Sequence, residues 1–338
     1  MEIAAPPILQ TLRIVIPGGS GLLGQVLARH FQERGHHVSV LTRGPYTAPW
    51  QTVHWDGENT GSWVDYLEGS DVCINLAGRS VNCHYDATNR QEIYNSRIGT
   101  TRLLNRVIAS LHSPPRVWFN ASTATIYRHT LDRAGTDWEM DEATGELGGG
   151  ELISKRRRAP ETWDFSVGVA KDWEDAFIET PTPRTRKVAL RSAIVFSPAP
   201  GSAFAILSNL VRLSLGGWQG NGRQFVSWIH EDDFARAVEF LIGCESLAGP
   251  VNVASPNPIP NRAFMAALRY AWDVPNGFPI PSLLIKLGAV FMRTESELVL
   301  KSRRVVPGRL LEAGFNFDFP DWPEAAEDLV NKWRHRHD

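Results

Sequence analysis

The chain has 338 residues, enough for one elaborated α/β domain or about two domains. Hydrophobic residues make up 43%, charged residues 21%, and the formal net charge is −2, which indicates an ordinary globular protein and gives no sign of nucleic-acid or membrane binding. No stretch approaches the roughly 18 apolar residues of a membrane span, and the start lacks a signal-peptide pattern, so we predict a cytoplasmic protein. The three cysteines form no spaced set, so we expect neither a disulfide framework nor a metal site.

Strand and helix signals alternate over the first 125 residues. Short apolar runs predict strands, and apolar residues at helical spacing predict the helices between them. Such alternation is typical of parallel βαβ units in a doubly wound Rossmann-type sheet, an α/β fold. The predicted strands are 12–16, 38–41, 53–55, 72–76 and 117–119, and the predicted helices are 22–34 and about 86–111.

The second half is less regular. Residues 128–162 are rich in glycine and charged residues, and we interpret them as a mobile insertion whose basic run Lys155–Arg158 is a solvated loop. Further predicted elements are a helix at 165–179, a strand at 188–196 and helices at about 203–215 and 232–242. We divide the chain into a loose tail (1–11), a dinucleotide-binding domain (12–250) and a smaller, mostly helical C-terminal substrate region (251–335) that includes a separate unit at about 281–330.

A glycine turn joins the first predicted strand to the first predicted helix. Its glycines are Gly18, Gly21 and Gly24. In dinucleotide-binding folds one such glycine permits the tight turn, the next lets the backbone approach the pyrophosphate, and the last allows close helix–strand packing. The helix N-terminus adds unpaired N–H donors. Because the turn follows a buried strand, it predicts dinucleotide binding; the alternative is a tight turn without a ligand.

The second predicted strand ends in Thr42-Arg43. NAD-specific sites usually have an acidic residue here, which bonds the ribose hydroxyls. An arginine pairs instead with a 2′-phosphate, to which the Thr42 hydroxyl can also donate. The sequence therefore favours NADP(H) as the cofactor. The alternative is an arginine that points into solvent.

These motifs resemble the extended short-chain dehydrogenase/reductases. Similar patterns are Asn75-Leu76-Ala77-Gly78 after the fourth strand and the segment Ser122–Tyr127 after the fifth. More narrowly, the chain resembles an epimerase-like group with a C-terminal domain of unknown function, DUF1731. The motifs that carry this resemblance are Arg97 in its Asn-Ser-Arg-Ile-Gly-Thr-Thr context, Trp173-Glu174, Arg191-Ser192, Ser227–His230, Arg304–Pro307 and Leu310–Phe315.

The resemblance implies a set of cofactor contacts. They are the turn and helix start (Gly18, Ser20, Gly21, Leu22, Leu23, Gly24), the phosphate pair (Thr42, Arg43), the fourth strand's end (Leu76, Ala77), the long helix (Glu92, Arg97) and the backbone near Phe196 at the nicotinamide side. For Arg97 a surface salt bridge with Glu92 or Glu33 is an open alternative. Relatives in the superfamily often form homodimers through two long helices, which implies the same here.

The usual catalytic pattern of that superfamily is incomplete. It combines a Ser or Thr with a Tyr and, four residues later, a Lys, which together exchange a proton as hydride moves. Ser122 and Thr123 occupy the Ser/Thr region, but the Tyr and Lys positions hold Ser166 and Ala170. Lys171 lies one residue late, about 100° around a helix. We therefore expect no usual Tyr–Lys pair.

Other residues are weaker candidates. Tyr127 is a candidate acid, although a pocket-shaping role is favoured. His230 could titrate near neutral pH, but a structural hydrogen bond is favoured. The basic cluster Lys301, Arg303 and Arg304 could face an anionic substrate; a solvated helix surface is the simpler interpretation.

Two functions remain open from the sequence. The favoured one is an NADP-dependent oxidoreductase or sugar-nucleotide epimerase-like enzyme that acts on an unidentified small molecule with a rearranged acid/base set. The other is a non-catalytic NADP(H)-binding sensor or scaffold, which the missing Tyr and Lys support.

Overall fold

The computed structural model describes residues 10–130, 139–150, 152–154, 157–282 and 300–337. Most of the predicted loose tail (1–9), part of the predicted insertion (131–138, 151 and 155–156) and most of the predicted separate unit (283–299) lie outside the described residues. No helix among the described residues is long and apolar enough to cross a membrane.

The first half of the described chain alternates strands and helices, as predicted. Its elements are β1 (Arg13–Pro17), α1 (Leu22–Glu33), β2 (His37–Thr42), β3 (Gln51–His54), α2 (Val64–Leu67), β4 (Val72–Asn75), α3 (Ala87–Ser110), β5 (Val117–Thr123), a 3₁₀ turn (Ala124–Ile126), β6 (Leu152–Ser154), β7 (Arg157–Arg158) and α4 (Glu161–Ile178). The carboxylate of Asp86 caps α3 by accepting a hydrogen bond from the Asn89 N–H.

The second half adds strands to the sheet and builds a smaller, helix-rich region. Its elements are β8 (Arg186–Ser192), β9 (Ile194–Phe196), α5 (Ala203–Arg212), β10 (Phe225–Val226), β11 (Trp228–His230), α6 (Glu231–Gly243), β12 (Gly249–Val253), β13 (Ile259–Pro260), α7 (Asn261–Ala271), α8 (Gly308–Glu312) and α9 (Trp322–His337).

Within the described part of the chain, seven parallel strands form the main sheet, in the order β12-β8-β5-β4-β1-β2-β3. The order reverses between β1 and β4, and in doubly wound sheets the ligand crevice lies at this point, outside the carboxyl ends of the strands. The prediction of a doubly wound Rossmann-type fold is confirmed.

Helices cover both faces of the sheet. On one face α1 and α6 bury Leu27, Phe31 and Leu241 against strand residues such as Ile16. On the other face α3 and α4 cover the sheet, and Trp118 meets Phe177 edge-to-face with ring centroids 4.6 Å apart. Strands buried on both faces explain the continuous apolar runs of the sequence.

Two predicted boundaries were wrong. The strand predicted at 188–196 divides at Ala193: β8 stays in the main sheet, whereas β9 leaves it and pairs with β11. The domain boundary at 250 falls inside β12, whose Val251 and Val253 are buried against the sheet. The main sheet therefore extends to Val253.

The described tail shares a core with the region before it. Phe264 stacks on Trp322 of α9 with centroids 4.0 Å apart, and Trp322 also contacts Phe196 and Trp228. Because these aromatic side chains are fully buried only when α7, α9 and β9 pack together, the described tail is joined to α7 and β9 through this core.

Candidate functional site

The glycine turn lies at the reversal point of the sheet. The Gly18 N–H donates to the Leu41 carbonyl (2.9 Å), and Gly18 has a φ of +75°, which favours glycine. A Cβ on Gly18 would stand 2.6 Å from the Ala77 backbone, and one on Gly24 would stand 2.3 Å from Gly19. The close approach of Gly18 to the Ala77 backbone keeps the mouth of the crevice narrow. The close approach of Gly24 to Gly19 lets α1 begin directly above the turn.

The start of α1 offers donors to a ligand. Gly21 is the N-cap in an extended conformation and has no side chain that could accept from the first N–H groups. Leu22 and Leu23 open the helix half-buried, and Leu23 packs on the core beneath. An uncapped helix N-terminus beside a glycine turn suits an anionic group such as a pyrophosphate.

The end of β2 brings a second group of donors to the turn. The hydroxyl of Thr42 has two acceptors within hydrogen-bond distance of its single hydrogen, the hydroxyl of Ser20 (3.2 Å) and the carbonyl of Gly44 (3.3 Å). Arg43 is exposed, and among the described residues it makes no ion pair or side-chain hydrogen bond. Two hydroxyls and an uncommitted guanidinium therefore stand together where a 2′-phosphate was predicted to bind.

A buried amide network holds the end of β4. The Asn75 side chain donates to Asn120 (2.7 Å) and accepts from the Ala77 N–H (3.1 Å), while Thr101 also donates to Asn120 (3.2 Å). Leu76 is half-buried, and its N–H donates to the Pro17 carbonyl (2.8 Å). Leu76 and Ala77 are thus fixed beside the glycine turn, and the cofactor contact that the resemblance implies for them stays a prediction.

The long helix α3 presents Arg97 to the same crevice. Its guanidinium lies over the Trp173 ring (5.2 Å) and next to Gly78, and its one described hydrogen bond goes to the Ile93 carbonyl (3.2 Å). Burial lowers the pKa of Arg97 to about 10. A desolvated cation without a carboxylate partner among the described residues suits an anionic ligand, and the alternative of a surface salt bridge with Glu92 or Glu33 was wrong.

The other residue expected from α3 is engaged elsewhere. Glu92 is half-exposed and forms an ion pair with Arg79. Its predicted contact with a cofactor stays a prediction.

The end of β5 is held by a buried ion pair that the sequence analysis did not assign. Glu174 of α4 accepts two hydrogen bonds from Arg191 (2.8 and 2.7 Å) and one from the Ser122 hydroxyl (2.6 Å). Burial disfavours the charge of Arg191, but its hydrogen bonds to Glu174 outweigh that cost and raise its pKa above the usual value. Ser122 is therefore committed to α4, which argues against its role as the catalytic hydroxyl.

Tyr127 continues this network into the core. It is fully buried, accepts from Arg191 (2.9 Å) and donates to the Asn252 side chain (2.9 Å). Burial raises the pKa of its phenol, whereas a catalytic acid at neutral pH needs a lowered one. The hypothesis that Tyr127 is the acid is therefore corrected: its hydroxyl joins β8 to β12.

Thr123 is the remaining hydroxyl candidate. It is half-buried at the last position of β5, and its Oγ1 accepts from the Thr125 N–H (3.1 Å), which caps the 3₁₀ turn. Since the Thr123 hydroxyl hydrogen is not used by that cap, it can donate to a substrate oxygen.

The helix α4 has no tyrosine and no lysine at the usual positions. Ala170 is 1% exposed and packs with Ile126 and Met140 in an apolar cluster. Lys171 turns away, and its ammonium donates to the Gly148 carbonyl (2.7 Å). Position 170 therefore belongs to the core, and the expected loss of the Tyr–Lys pair stays a prediction.

Phe196 and His230 have structural surroundings. The Phe196 ring packs between Phe264 and Trp322, so only its backbone is left for the predicted nicotinamide contact, which stays a prediction. His230 is fully buried, caps α6 by accepting from the Asp232 N–H (3.1 Å) and pairs with Asp328 (3.0 Å). The structural role favoured for His230 is the one observed.

His230 and two carboxylates beside it are spaced like the ligands of a metal ion, but the ammonium of a lysine contacts both carboxylates. Asp232 and Asp328 lie close enough to His230 to share an ion. The ammonium of Lys332 contacts both carboxylates, at 3.0 Å for Asp328. The cluster is therefore an internal ion-pair network that attaches α9 to α6.

The C-terminal segment Lys301–Val306 runs between two parts of the main domain. The Met140 N–H donates to the Arg304 carbonyl (2.7 Å), and the Val306 N–H donates to the Met140 carbonyl (3.1 Å). Met140 is thus held in place, which the prediction of a mobile insertion did not anticipate. Lys301 and Arg303 are 3% and 8% exposed, so the interpretation of a solvated helix surface was wrong.

Known proteins of similar sequence identify the family of this chain. The "Epimerase family protein SDR39U1" of Bos taurus is 30% identical over 323 residues, which cover 94% of this chain and all of the relative. This chain belongs to the epimerase family. Residues 14–144 match the NAD dependent epimerase/dehydratase family, and residues 280–329 match the domain of unknown function DUF1731.

Solved structures of this family agree with the fold. The crystal structure of human epimerase family protein SDR39U1 (isoform 2) with NADPH has a TM-score of 0.80 and 27% identity, and covers 95% of this chain and 99% of that one. The nucleoside-diphosphate sugar epimerase from Corynebacterium glutamicum has a TM-score of 0.68 and 26% identity, covering 95% of this chain and 59% of that one.

Membership of the epimerase family, together with the turn geometry, makes this a nicotinamide dinucleotide-binding fold. The residues present fit such a cofactor: a Cβ at Gly18 would close the crevice, and uncommitted donors line its edge. Sequence reasoning missed Glu174 and Arg191 as partners, although both stand in motifs that carry the family resemblance. The signal available was their place in the motifs Trp173-Glu174 and Arg191-Ser192.

Proposed function

We propose that this protein binds NADP(H) in preference to NAD(H). The observation that carries the proposal is the exposed, uncommitted Arg43 beside the paired hydroxyls of Thr42 and Ser20. A guanidinium at this position can form a bidentate pair with a phosphate dianion, and the end of β2 contributes no carboxylate to repel it. The NADPH in the human relative's structure supports the same preference.

Replacing Arg43 tests the phosphate preference. We expect Arg43→Gln to weaken NADPH binding by roughly 10- to 100-fold, the worth of one charge-assisted contact, and to leave NADH affinity unchanged. Isothermal titration calorimetry with both nucleotides measures this. Arg106→Gln, on the exposed face of α3, is the matched loss of one positive charge and should change neither affinity. Equal affinity of the Arg43 variant and the wild type for NADPH would refute the assignment.

We further propose that the protein is an oxidoreductase or sugar-nucleotide epimerase-like enzyme with a rearranged proton-transfer set. NADP(H) would supply or accept hydride, while Thr123 orients a substrate oxygen at the end of β5. Thr123 is favoured over Ser122 and Tyr127 because those two hydroxyls are committed to Glu174 and Asn252. The names of the relatives support the class of small-molecule substrate without identifying it.

Turnover is the test of that proposal. With NADPH or NADP⁺ and panels of carbonyl compounds and nucleotide sugars, we expect turnover that falls about 100-fold or more in Thr123→Val. NADPH affinity should be retained, since Thr123 lies at the far end of the crevice from the phosphate pair. Ser192→Ala, at the end of the neighbouring strand β8, is the matched hydroxyl control and should retain turnover.

The second candidate is a non-catalytic NADP(H)-binding sensor or scaffold. The burial of Ala170 in an apolar cluster favours this function, because that position has no space for the side chain of the usual lysine. Tight NADPH binding with no turnover on any member of either panel would support this function against the enzyme.

A further inference from the structure

The carboxyl end of β5 lies on the side of the reversal point away from Thr42 and Arg43, where the nicotinamide half of the proposed cofactor would lie. The phosphate pair lies at the end of β2, and the pyrophosphate turn follows β1. A dinucleotide that crosses the sheet edge from β2 over β1 therefore places its other half over β4 and β5, on the far side of the reversal point. This is where the superfamily pattern places a lysine of α4, and where this chain has Ala170 instead.

A cation from the C-terminal segment reaches this end of β5. The ammonium of Lys301 lies 3.3 Å from the carbonyl oxygen of Thr125, in the 3₁₀ turn that follows Thr123. It also lies 5.7 Å from the centroid of the Trp163 ring, in the first turn of α4. Ser166, at the usual tyrosine position, is three residues further along α4 and so on the same helix face as Trp163.

The segment that carries Lys301 is firmly docked. The N–H of Ser302 donates to His129 (2.9 Å), and the Ser302 hydroxyl accepts from the Phe225 N–H (2.9 Å). The hydroxyl of Ser227 donates to the Arg303 carbonyl (2.7 Å) and accepts from the Val305 N–H (2.9 Å). Contacts on both sides fix the position of Lys301, whose side chain is 3% exposed.

We propose that the C-terminal segment completes the nicotinamide end of the site, with Lys301 as the cation that α4 lacks. This inference rests on the proposed NADP(H) binding. Lys301 holds the turn that follows Thr123 and places positive charge beside the nicotinamide ribose and the substrate oxygen. The region of unknown function thereby gains a defined role: it delivers a site residue to the dinucleotide-binding domain.

The test compares NADPH with 2′,5′-ADP. This nucleotide carries the 2′-phosphate proposed to bind Thr42 and Arg43, but it has no nicotinamide half. Calorimetry on the full chain should show that Lys301→Met weakens NADPH binding about tenfold, the effect of one charged contact, and leaves 2′,5′-ADP affinity unchanged. Lys301→Arg should stay within about threefold of the wild type for both ligands, because it keeps the charge.

Ser302→Ala is the matched control, since it removes hydrogen bonds of the same segment without removing charge. It should lower the melting temperature and leave the ratio of the two affinities as in the wild type. If Lys301→Met weakens both ligands equally, or changes neither, the role of Lys301 is overturned while NADP(H) binding stands. A wild-type protein that binds neither ligand would overturn the proposed cofactor, and this inference with it.

Discussion

Glu174→Ala is expected to destabilise the protein by about 3–5 kcal/mol, because it leaves a buried guanidinium without its carboxylate. Arg191 is 7% exposed, and its remaining described side-chain partner would be the hydroxyl of Tyr127. The change also releases the Ser122 hydroxyl, so the end of β5 loses its tie to α4. Urea unfolding followed by circular dichroism measures the loss.

A surface ion pair at the C-terminal end of the same helix provides the control. Glu179, just after α4, pairs with Arg102 of α3 at 3.0 Å, and both side chains are 40% or more exposed. We expect Glu179→Ala to cost less than about 1 kcal/mol, since solvent screens exposed pairs. Similar losses for the two variants would show that the buried network does not hold the site together.

Gly18→Val is expected to reduce NADPH affinity by roughly 100-fold or more. A side chain at this position is strained at a φ of +75°, and its Cβ would stand 2.6 Å from the Ala77 backbone. Relief requires the ends of β1 and β4 to move apart. That movement would rotate the N–H groups of the glycine turn away from the pyrophosphate that they are placed to bind. Calorimetry with NADPH, on protein shown to be folded by circular dichroism, measures the loss.

Gly35→Val is the control that separates the effect of backbone strain from the effect of a side chain that closes the crevice. Gly35 follows α1 with a φ of +81°, but a Cβ added there would have no atom within 4 Å. We expect a loss of stability of about 1–2 kcal/mol and unchanged NADPH affinity. If Gly35→Val and Gly18→Val weakened NADPH equally, the narrow approach of Gly18 to Ala77 would have no part in binding.

The dinucleotide half of the fold could be predicted from the sequence because its signals are local. Buried parallel strands give continuous apolar runs, and the glycine turn has a fixed position between a strand and a helix. The same reasoning placed Thr42 and Arg43 at the end of β2, where the structure has them. In each case a few consecutive residues are sufficient, because backbone geometry alone decides the outcome.

The contacts that decide the catalytic end could not be predicted, because they join residues far apart in the chain. Ser122 and Glu174 are separated by 52 residues, and Tyr127 and Asn252 by 125. Lys301 meets the Thr125 carbonyl across 176 residues. The hydrophobic periodicity of a sequence carries no information about such long-range contacts. The strand predicted at 188–196 failed for a related reason: its apolar run continues past Ala193, although its pairing partner changes there from β12 to β11.

The central claim is that Arg43 and the glycine turn hold a 2′-phosphorylated dinucleotide, and wild-type calorimetry with NADPH and NADH tests it most directly. We predict one site per chain, with NADPH bound at least about tenfold more tightly than NADH and the difference shrinking as salt screens the phosphate contact. Tighter binding of NADH, or no heat of binding with either nucleotide, would contradict the account.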